Sequence, residues 1–416
     1  MNGTRDIVVI GGGIAGSSLA KVAAERGLQV TVLERQTAYR DKVRGEYLQP
    51  WGVTEAQRLG VDDALLNTGG MFITQAIGYD EILPPEAAES MPLPLQEFCP
   101  GTPGAMDVGH PQACEALAQA AMQAGAELIR GVGDVIVTPG TAPTVKYEYN
   151  DVEHELQCRL VVAADGRASS VRRQLGLTLH QTEPLTRGGG MLIEGFDALP
   201  EQTMALGTEN DLHYLIFPRA GGLARLYQMI PAEQRTRFTG PDRETEFLNS
   251  FRMKCLPLGD AVAAATPAGP VAMYPMNDSW TDQVAVPGVV LIGDAGGWND
   301  PIIGEGLSIA LRDARMVADV LLSTDDWAPG AFDAYATERR ERMRRLRIAA
   351  TLETAVRADF TPQGRARRGA FFQTLEADPM LALPTLVTFL AGPDVAPPEA
   401  FSDENIKRIF ALGSAG

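Results

Sequence analysis

The segment from Asp6 to Gln36, DIVVIGGGIAGSSLAKVAAERGLQVTVLERQ, permits very few folds. DIVVI is a continuous apolar run, the pattern of a parallel strand buried on both faces. IAGSSLAKVAAERG then places Leu19, Val22 and Ala23 at helical spacing and stops at Gly27, and QVTVLE supplies a second strand. The result is a βαβ unit whose first turn carries Gly11, Gly13 and Gly16. In such a turn the first glycine permits the tight bend and the second lets the backbone approach a pyrophosphate. The third lets helix and strand pack closely, with the phosphates at the helix N-terminus. Glu34, about 20 residues further on at the end of the second strand, sits where a carboxylate can accept both ribose hydroxyls of an adenosine. Ile14, Ala15 and Arg35 flank these positions and are assigned to the same site. A glycine-rich turn with a surface glutamate is the simpler alternative; strand, helix and carboxylate together argue against it.

Two further strand-end motifs follow. VVAADGRASSVRR ends an apolar strand in Asp165 and Gly166, with Arg167 next. VVLIGDAGGWNDPIIGEGLSIALRDA places Gly293 and Asp294 at another strand end, then Pro301, Gly304 and Gly306 ahead of a long helix. Either pair alone reads equally well as a turn. A nicotinamide dehydrogenase with one dinucleotide site needs neither.

The order GGGIAG, ADGRAS, GDAGGWNDPIIGEGLSIALRDA resembles the single-component FAD-dependent monooxygenases of the para-hydroxybenzoate hydroxylase type, over Asp6 to about Arg345. The resemblance implies that Gly11, Gly13 and Gly16 approach the FAD pyrophosphate, Glu34 the adenosine ribose and Asp294 the ribityl and phosphate portion. It implies that Asp165 serves FAD and the pyridine nucleotide, and that Arg44 lies near the pyrophosphate. His110 falls where many relatives have an arginine at a helix start; an exposed helix-start histidine is the other reading. The expected reaction is hydroxylation or epoxidation of a bulky, aromatic small molecule with NADPH or NADH and O₂, through a flavin C4a-hydroperoxide. That species decays in water, which calls for a closed, mostly apolar pocket. Backbone N–H groups from Gly304 through Gly306 and Leu307 suit the charge on reduced flavin, while Pro301 removes an N–H facing the ring and keeps its carbonyl. Pro301 and Gly304 are therefore the catalytic candidates.

This chain departs from the pattern in two places. Gly296 and Gly297 stand where many hydroxylases have Ala-His, and Glu305 replaces the glutamine of Gly-Gln-Gly. A Gly-Glu-Gly turn also occurs in the related geranylgeranyl reductases, so a flavin-dependent reductase is the alternative. Flavin-dependent halogenases share the implied fold, but their Gly-Trp-x-Trp-x-Ile-Pro segment is missing.

The rest of the chain sets an α/β expectation: a doubly wound, Rossmann-like FAD-binding domain, an inserted antiparallel-sheet substrate domain and a helical C-terminus. The FAD domain is expected from residues 1–75, 100–180 and 285–350, the substrate domain from 76–99 and 181–284, and the helical segment from 351–416. GGGMLIEGF, LHYLIFPR and LARLYQMI read as strands of the inserted sheet, which should roof the pocket. On them, and on AMYPMNDSW, His213, Tyr214, Arg219 and Tyr274 are substrate candidates, although each taken singly reads more readily as a strand residue satisfied locally or facing solvent.

A net charge of −17 argues against nucleic acid as a partner. Four scattered cysteines without a CxxC pair suggest neither zinc nor disulfides and fit a reducing cytoplasm, and four dispersed histidines make a metal site hard to assemble. The N-terminal apolar run is too short to span a bilayer and is broken at once by glycines. The expected partners are thus a small-molecule substrate and O₂, with no integral membrane association.

Overall fold

The computed structural model describes residues 4–43, 45–200 and 202–414. β1 (Thr4–Ile10), α1 (Ile14–Glu25) and β2 (Val30–Glu34) form the βαβ unit. α2 (Pro50–Leu59) and α3 (His110–Gln123) precede β3 (Glu127–Arg130), and β4 (Thr144–Tyr149) turns back into β5 (Val152–Ala163). The first half of β5 pairs antiparallel with β4; its second half runs parallel to β1, with Ile7 opposite Leu160 and Ile10 opposite Ala163. One strand therefore alternates polar and apolar residues where one face meets solvent, then turns wholly apolar where helices cover both faces.

The second sheet takes β6 (Thr186–Glu194), β7 (Thr203–Glu209), β8 (Leu212–Arg219), β9 (Leu223–Pro231) and β10 (Ala272–Met276). Its order runs Thr266–Pro267, β6, β9, β8, β7, Gln75–Gly78, Leu93–Pro94, with β10 also paired to β6. Its neighbours are antiparallel except β7 and Gln75–Gly78, which run parallel. One face of this sheet packs Tyr214, Ile216 and Leu226 against Phe247, Phe251 and Val262 of the segment 243–264.

β11 (Val289–Leu291) then returns to the first sheet beside β5, giving the parallel order β11, β5, β1, β2, β3. α4 (Gly306–Ser323), α5 (Asp333–Arg357) and α6 (Pro362–Thr374) follow. α5 is continuous across residue 350, so the chain has no break there. Ile7, Val8, Val9, Val161 and Val162 are fully buried at the centre of the first core, where α1 and α4 pack side by side over the sheet.

Candidate active site

A cavity of about 1150 Å³ runs from the first glycine turn, past residues 298–307, to the inner face of the second sheet. At its first end the βαβ turn is shaped by contact. Gly11 has φ +103°, and a Cβ on it would lie 2.4 Å from the Ala164 carbonyl oxygen; one on Gly16 would lie 2.0 Å from the Gly11 carbonyl oxygen. A Cβ on Gly13, by contrast, would meet no atom of the described residues within 4 Å beyond its own chain neighbours. Two of the glycines are thus required by the fold, and the third leaves space beside the N-terminus of α1. That terminus has no side-chain cap and no acidic residue in its first turn, leaving N–H groups available to an anion. Gly16 packs behind the turn, while Gly11, Gly13, Ile14, Ala15, Glu34 and exposed Arg35 line the cavity.

Glu34 is buried and anchored by backbone, its carboxylate accepting from Gly12 N–H and Gln36 N–H, each at 2.7 Å. A carboxylate has about four lone-pair directions, so two remain for the ribose hydroxyls. Asp165 accepts with one oxygen from Ser170 N–H at 2.7 Å and Val171 N–H at 3.1 Å, fixing the start of a short helix, and its Oδ1 has no hydrogen-bond partner among the described residues. Gly166 lies beside it in the cavity wall. Asp294 accepts from Arg167 Nε at 3.2 Å and also lines the cavity. His110 opens α3 and is held by backbone, with Nδ1 3.1 Å from the Gly45 carbonyl oxygen. Because a carbonyl only accepts, Nδ1 carries the proton. Arg44 lies outside the described residues. An open Gly13, uncapped amides and an unpartnered carboxylate oxygen fit the pyrophosphate and ribityl portions of FAD.

The loop that would meet the flavin ring is held from several sides. Asp300 accepts from Ile302 N–H at 3.0 Å and so caps the turn Pro301–Ile303; Gly304 follows in the left-handed region at φ +66°. Pro301, Gly304, Gly306 and Leu307 all line the cavity, and a Cβ on Gly306 would meet no protein atom within 4 Å. Glu305 is buried, with Oε1 accepting from Trp51 Nε1 at 3.2 Å. Burial pushes its carboxyl well above the usual carboxylate range, opposed by the Trp51 hydrogen bond.

The Gly296-Gly297 departure has a steric cause. A Cβ on Gly297, at φ +110°, would lie 2.5 Å from the Ser279 carbonyl oxygen. Arg339, buried in α5, donates to the carbonyls of Gly293, Gly296 and Gly297 at 2.9–3.1 Å. Asp313 joins Arg339 to the equally buried Arg342 at 2.9 and 2.6 Å and accepts from Gly293 N–H at 2.8 Å. Sequence reasoning gave these arginines no part in the site. The available signal was their spacing: Arg339, Arg342, Met343 and Leu346 share one helical face, which points inward.

Beyond the loop the cavity becomes an apolar chamber. β8 supplies His213, Leu215 and Phe217 from its inner face, and Leu386, Phe389 and Leu390 pack beside Leu215 and Phe217 to close the chamber. The period of two on β8 separates the substrate candidates. Tyr214 points to the other face, packed edge-on against Phe251 with its hydroxyl donating to the Tyr79 carbonyl at 2.9 Å, and so does not reach the chamber. Arg219 is also kept out, its guanidinium being consumed by Asp107 and Glu46, each at 2.8 Å. Tyr274 lines the cavity and donates to the Val43 carbonyl at 3.0 Å. Sequence reasoning missed Glu353 and Arg357 of α5, which also line the chamber; their helical spacing carried no mark of a pocket.

The model of the FAD binding domain family matches residues 4–349. The chain is 24% identical over 323 residues to squalene epoxidase 3 of Arabidopsis thaliana, covering 76% of this chain and 60% of that one. It is 28% identical to menaquinone reductase of Mycolicibacterium smegmatis, covering 78% of each chain. Among solved structures, a flavoprotein/dehydrogenase from Cytophaga hutchinsonii superposes with a TM-score of 0.76 at 17% identity over 99% of both chains, a likeness of fold.

Proposed function

The chain belongs to the FAD binding domain family, and from that premise we propose that it is an FAD-dependent monooxygenase that uses NADPH or NADH and O₂ to oxygenate a bulky, apolar small molecule. The observation that carries this reading is the continuity of the cavity, from the dinucleotide turn through Pro301–Leu307 into an apolar chamber closed by the C-terminal segment. Similarity to a squalene epoxidase supports it. FAD, when bound, supplies the redox and oxygen chemistry. The protein's own residues bind, orient and exclude water. Gly13 and the N-terminus of α1 take the pyrophosphate, Glu34 the ribose and Asp294 the ribityl chain. Gly304, Gly306 and Leu307 offer backbone N–H groups to the ring, and Pro301 presents a carbonyl without an N–H. Leu215, Phe217, Phe389 and Leu390 keep water from the reacting face. Four buried, unpaired cysteines support a reducing, cytoplasmic setting. Among the described residues no helix is long and apolar enough to cross a membrane.

Glu305 favours a second reading, a flavin-dependent reductase, and similarity to menaquinone reductase supports it. Oxygen separates the two. Turnover under isotopically labelled O₂ is expected to place one labelled atom in the product, and anaerobic reaction to stop after a single flavin reduction. A saturated product formed equally well without oxygen would establish the reductase.

A further inference from the structure

The end of the chamber remote from the glycines holds a polar group that the oxygenation chemistry does not use. His213 is 1% exposed and lines the cavity. Its Nδ1 lies 2.9 Å from Thr208 Oγ1, and the same hydroxyl donates to the Arg357 carbonyl at 2.8 Å. A hydroxyl has one proton to give. Because that proton goes to the carbonyl, Nδ1 must donate to Oγ1, and the lone pair of the neutral ring is left on Nε2. Burial, reinforced by Arg357 and Arg368 and opposed only weakly by the Gly207 carbonyl, pushes the imidazole down to about 3, so it stays neutral at physiological pH. Arg357 also lines the cavity; its Nε is fixed on Glu353 at 2.7 Å, and its guanidinium lies 5.1 Å from the centre of the Phe372 ring. Its terminal N–H groups make no hydrogen bond or ion pair among the described residues. An acceptor nitrogen and a cluster of donors thus stand together in a wall that also carries the Glu353 and Asp80 carboxyls and is otherwise lined largely by leucine, methionine and phenylalanine side chains.

We propose that His213 and Arg357 hold a hydroxyl group of an otherwise apolar substrate, its O–H donating to His213 Nε2 and its oxygen accepting from the Arg357 guanidinium. A neutral hydroxyl, phenolic or alcoholic, satisfies both partners. A carboxylate offers no proton to Nε2 and brings a further negative charge to a wall that already carries Glu353 and Asp80. An ether or hydrocarbon leaves both partners unpaired in a low-dielectric wall. Thr208 is a positioning residue, since it sets the tautomer. The inference rests on the chamber being the substrate site, and its test separates the two.

The FAD-loaded protein is titrated with para-octylphenol, para-octylanisole and para-octylbenzoate, followed by the flavin absorbance change and by calorimetry. The phenol is expected to bind at least ~10-fold tighter than the ether, and tighter than the benzoate. His213→Phe should bring phenol and ether within about 2-fold of each other while leaving the affinity for the ether in place. Thr208→Val should lower the preference by several-fold with FAD occupancy unchanged; it carries the decision if His213→Phe does not retain flavin. Equal binding of phenol and ether, tightest binding of the benzoate, or an undiminished preference in the deciding variant overturns the hydroxyl anchor and leaves the chamber reading standing. Failure of all three compounds to bind removes the chamber reading and the anchor with it.

Discussion

At the dinucleotide end of the cavity backbone from Gly11, Gly13, Gly304 and Gly306 is exposed beside the few side chains Glu34, Asp165 and Asp294, whereas at the chamber end the lining is side chains, from His213, Leu215, Phe217, Arg357 and Phe389. The first surface is rigid because it is braced from behind. Arg339 holds three carbonyls of the Gly293–Gly297 turn, Arg172 donates to the Ala295 and Arg167 carbonyls at 2.7 and 3.0 Å, and Asp313 ties Arg339 to α4. The second surface is drawn from β8, the C-terminal end of α5 and the segment 386–390, and its polar groups are few. A cofactor common to many enzymes is thus met in good part by backbone groups that every residue possesses, and a particular substrate by side chains that are easily exchanged.

The largest effect that would test this contrast is at the brace. Arg339→Met removes a guanidinium that is 3% exposed and leaves the carbonyls of Gly293, Gly296 and Gly297 without their donor. A loss of about 3–5 kcal/mol of folding stability is expected, the range for breaking a buried pair, together with loss of FAD. Urea unfolding and flavin content measure both. A variant that binds FAD as tightly as the wild type would show that the backbone surface needs no brace.

A smaller, more selective effect is expected at the surface itself. Gly13→Ala places its methyl in space that no atom of the described residues beyond its chain neighbours occupies within 4 Å, so the apoprotein should change by less than about 1 kcal/mol, while FAD is displaced from the helix N-terminus. Asp294→Ala should weaken FAD binding by about 1.5–3 kcal/mol, the range for hydrogen bonds to a charged group. Its cost to the apoprotein should be slight, since the Arg167 pair is partly exposed. Titration of apoprotein with FAD, beside thermal melting without it, reads the two quantities separately. Apoprotein destabilised as strongly as FAD binding is weakened would dissolve the distinction between surface and brace.

The same contrast governs what was legible in the sequence. Gly11, Gly16 and Glu34 sit within one βαβ unit, so their spacing reports their arrangement directly. β8 was legible as a strand, but its register was not. Adjacent residues on a strand face opposite ways, and nothing in LHYLIFPR says that His213 turns inward while Tyr214 packs on Phe251. Arg219 was misread because its partners, Glu46 and Asp107, are more than a hundred residues away in the chain. Arg339 and Arg357 were hidden for a related reason, since an arginine-rich helix looks solvated until the acids and carbonyls it meets are known.

The smallest expected effect lies at the junction of the two ends, where Asp278 holds the loop leading to Pro301. One of its oxygens accepts from Asn299 Nδ2 at 2.5 Å and from Asp300 N–H at 2.9 Å. Burial pushes its carboxyl up to about 7, with the nearby Asp300 raising it and Arg347 opposing, and Asp300 is itself pushed up to about 6 by burial. The folded protein therefore binds the Asp278 proton more tightly than the unfolded chain does. The stability this contributes is fully present below about pH 4, declines as pH rises and is lost through pH 7. Asp278→Asn keeps an acceptor for both donors, so at pH 5 the variant should lie within about 1 kcal/mol of the wild type. As pH rises to 8 the wild type should lose stability more steeply, because the variant lacks the Asp278 contribution and shares all the others. Denaturant melts of both proteins between pH 5 and pH 8 give the difference in slope. Parallel curves would mean that Asp278 is ionised in the fold throughout that range, and that the loop at the junction is held by charge rather than by a shared proton.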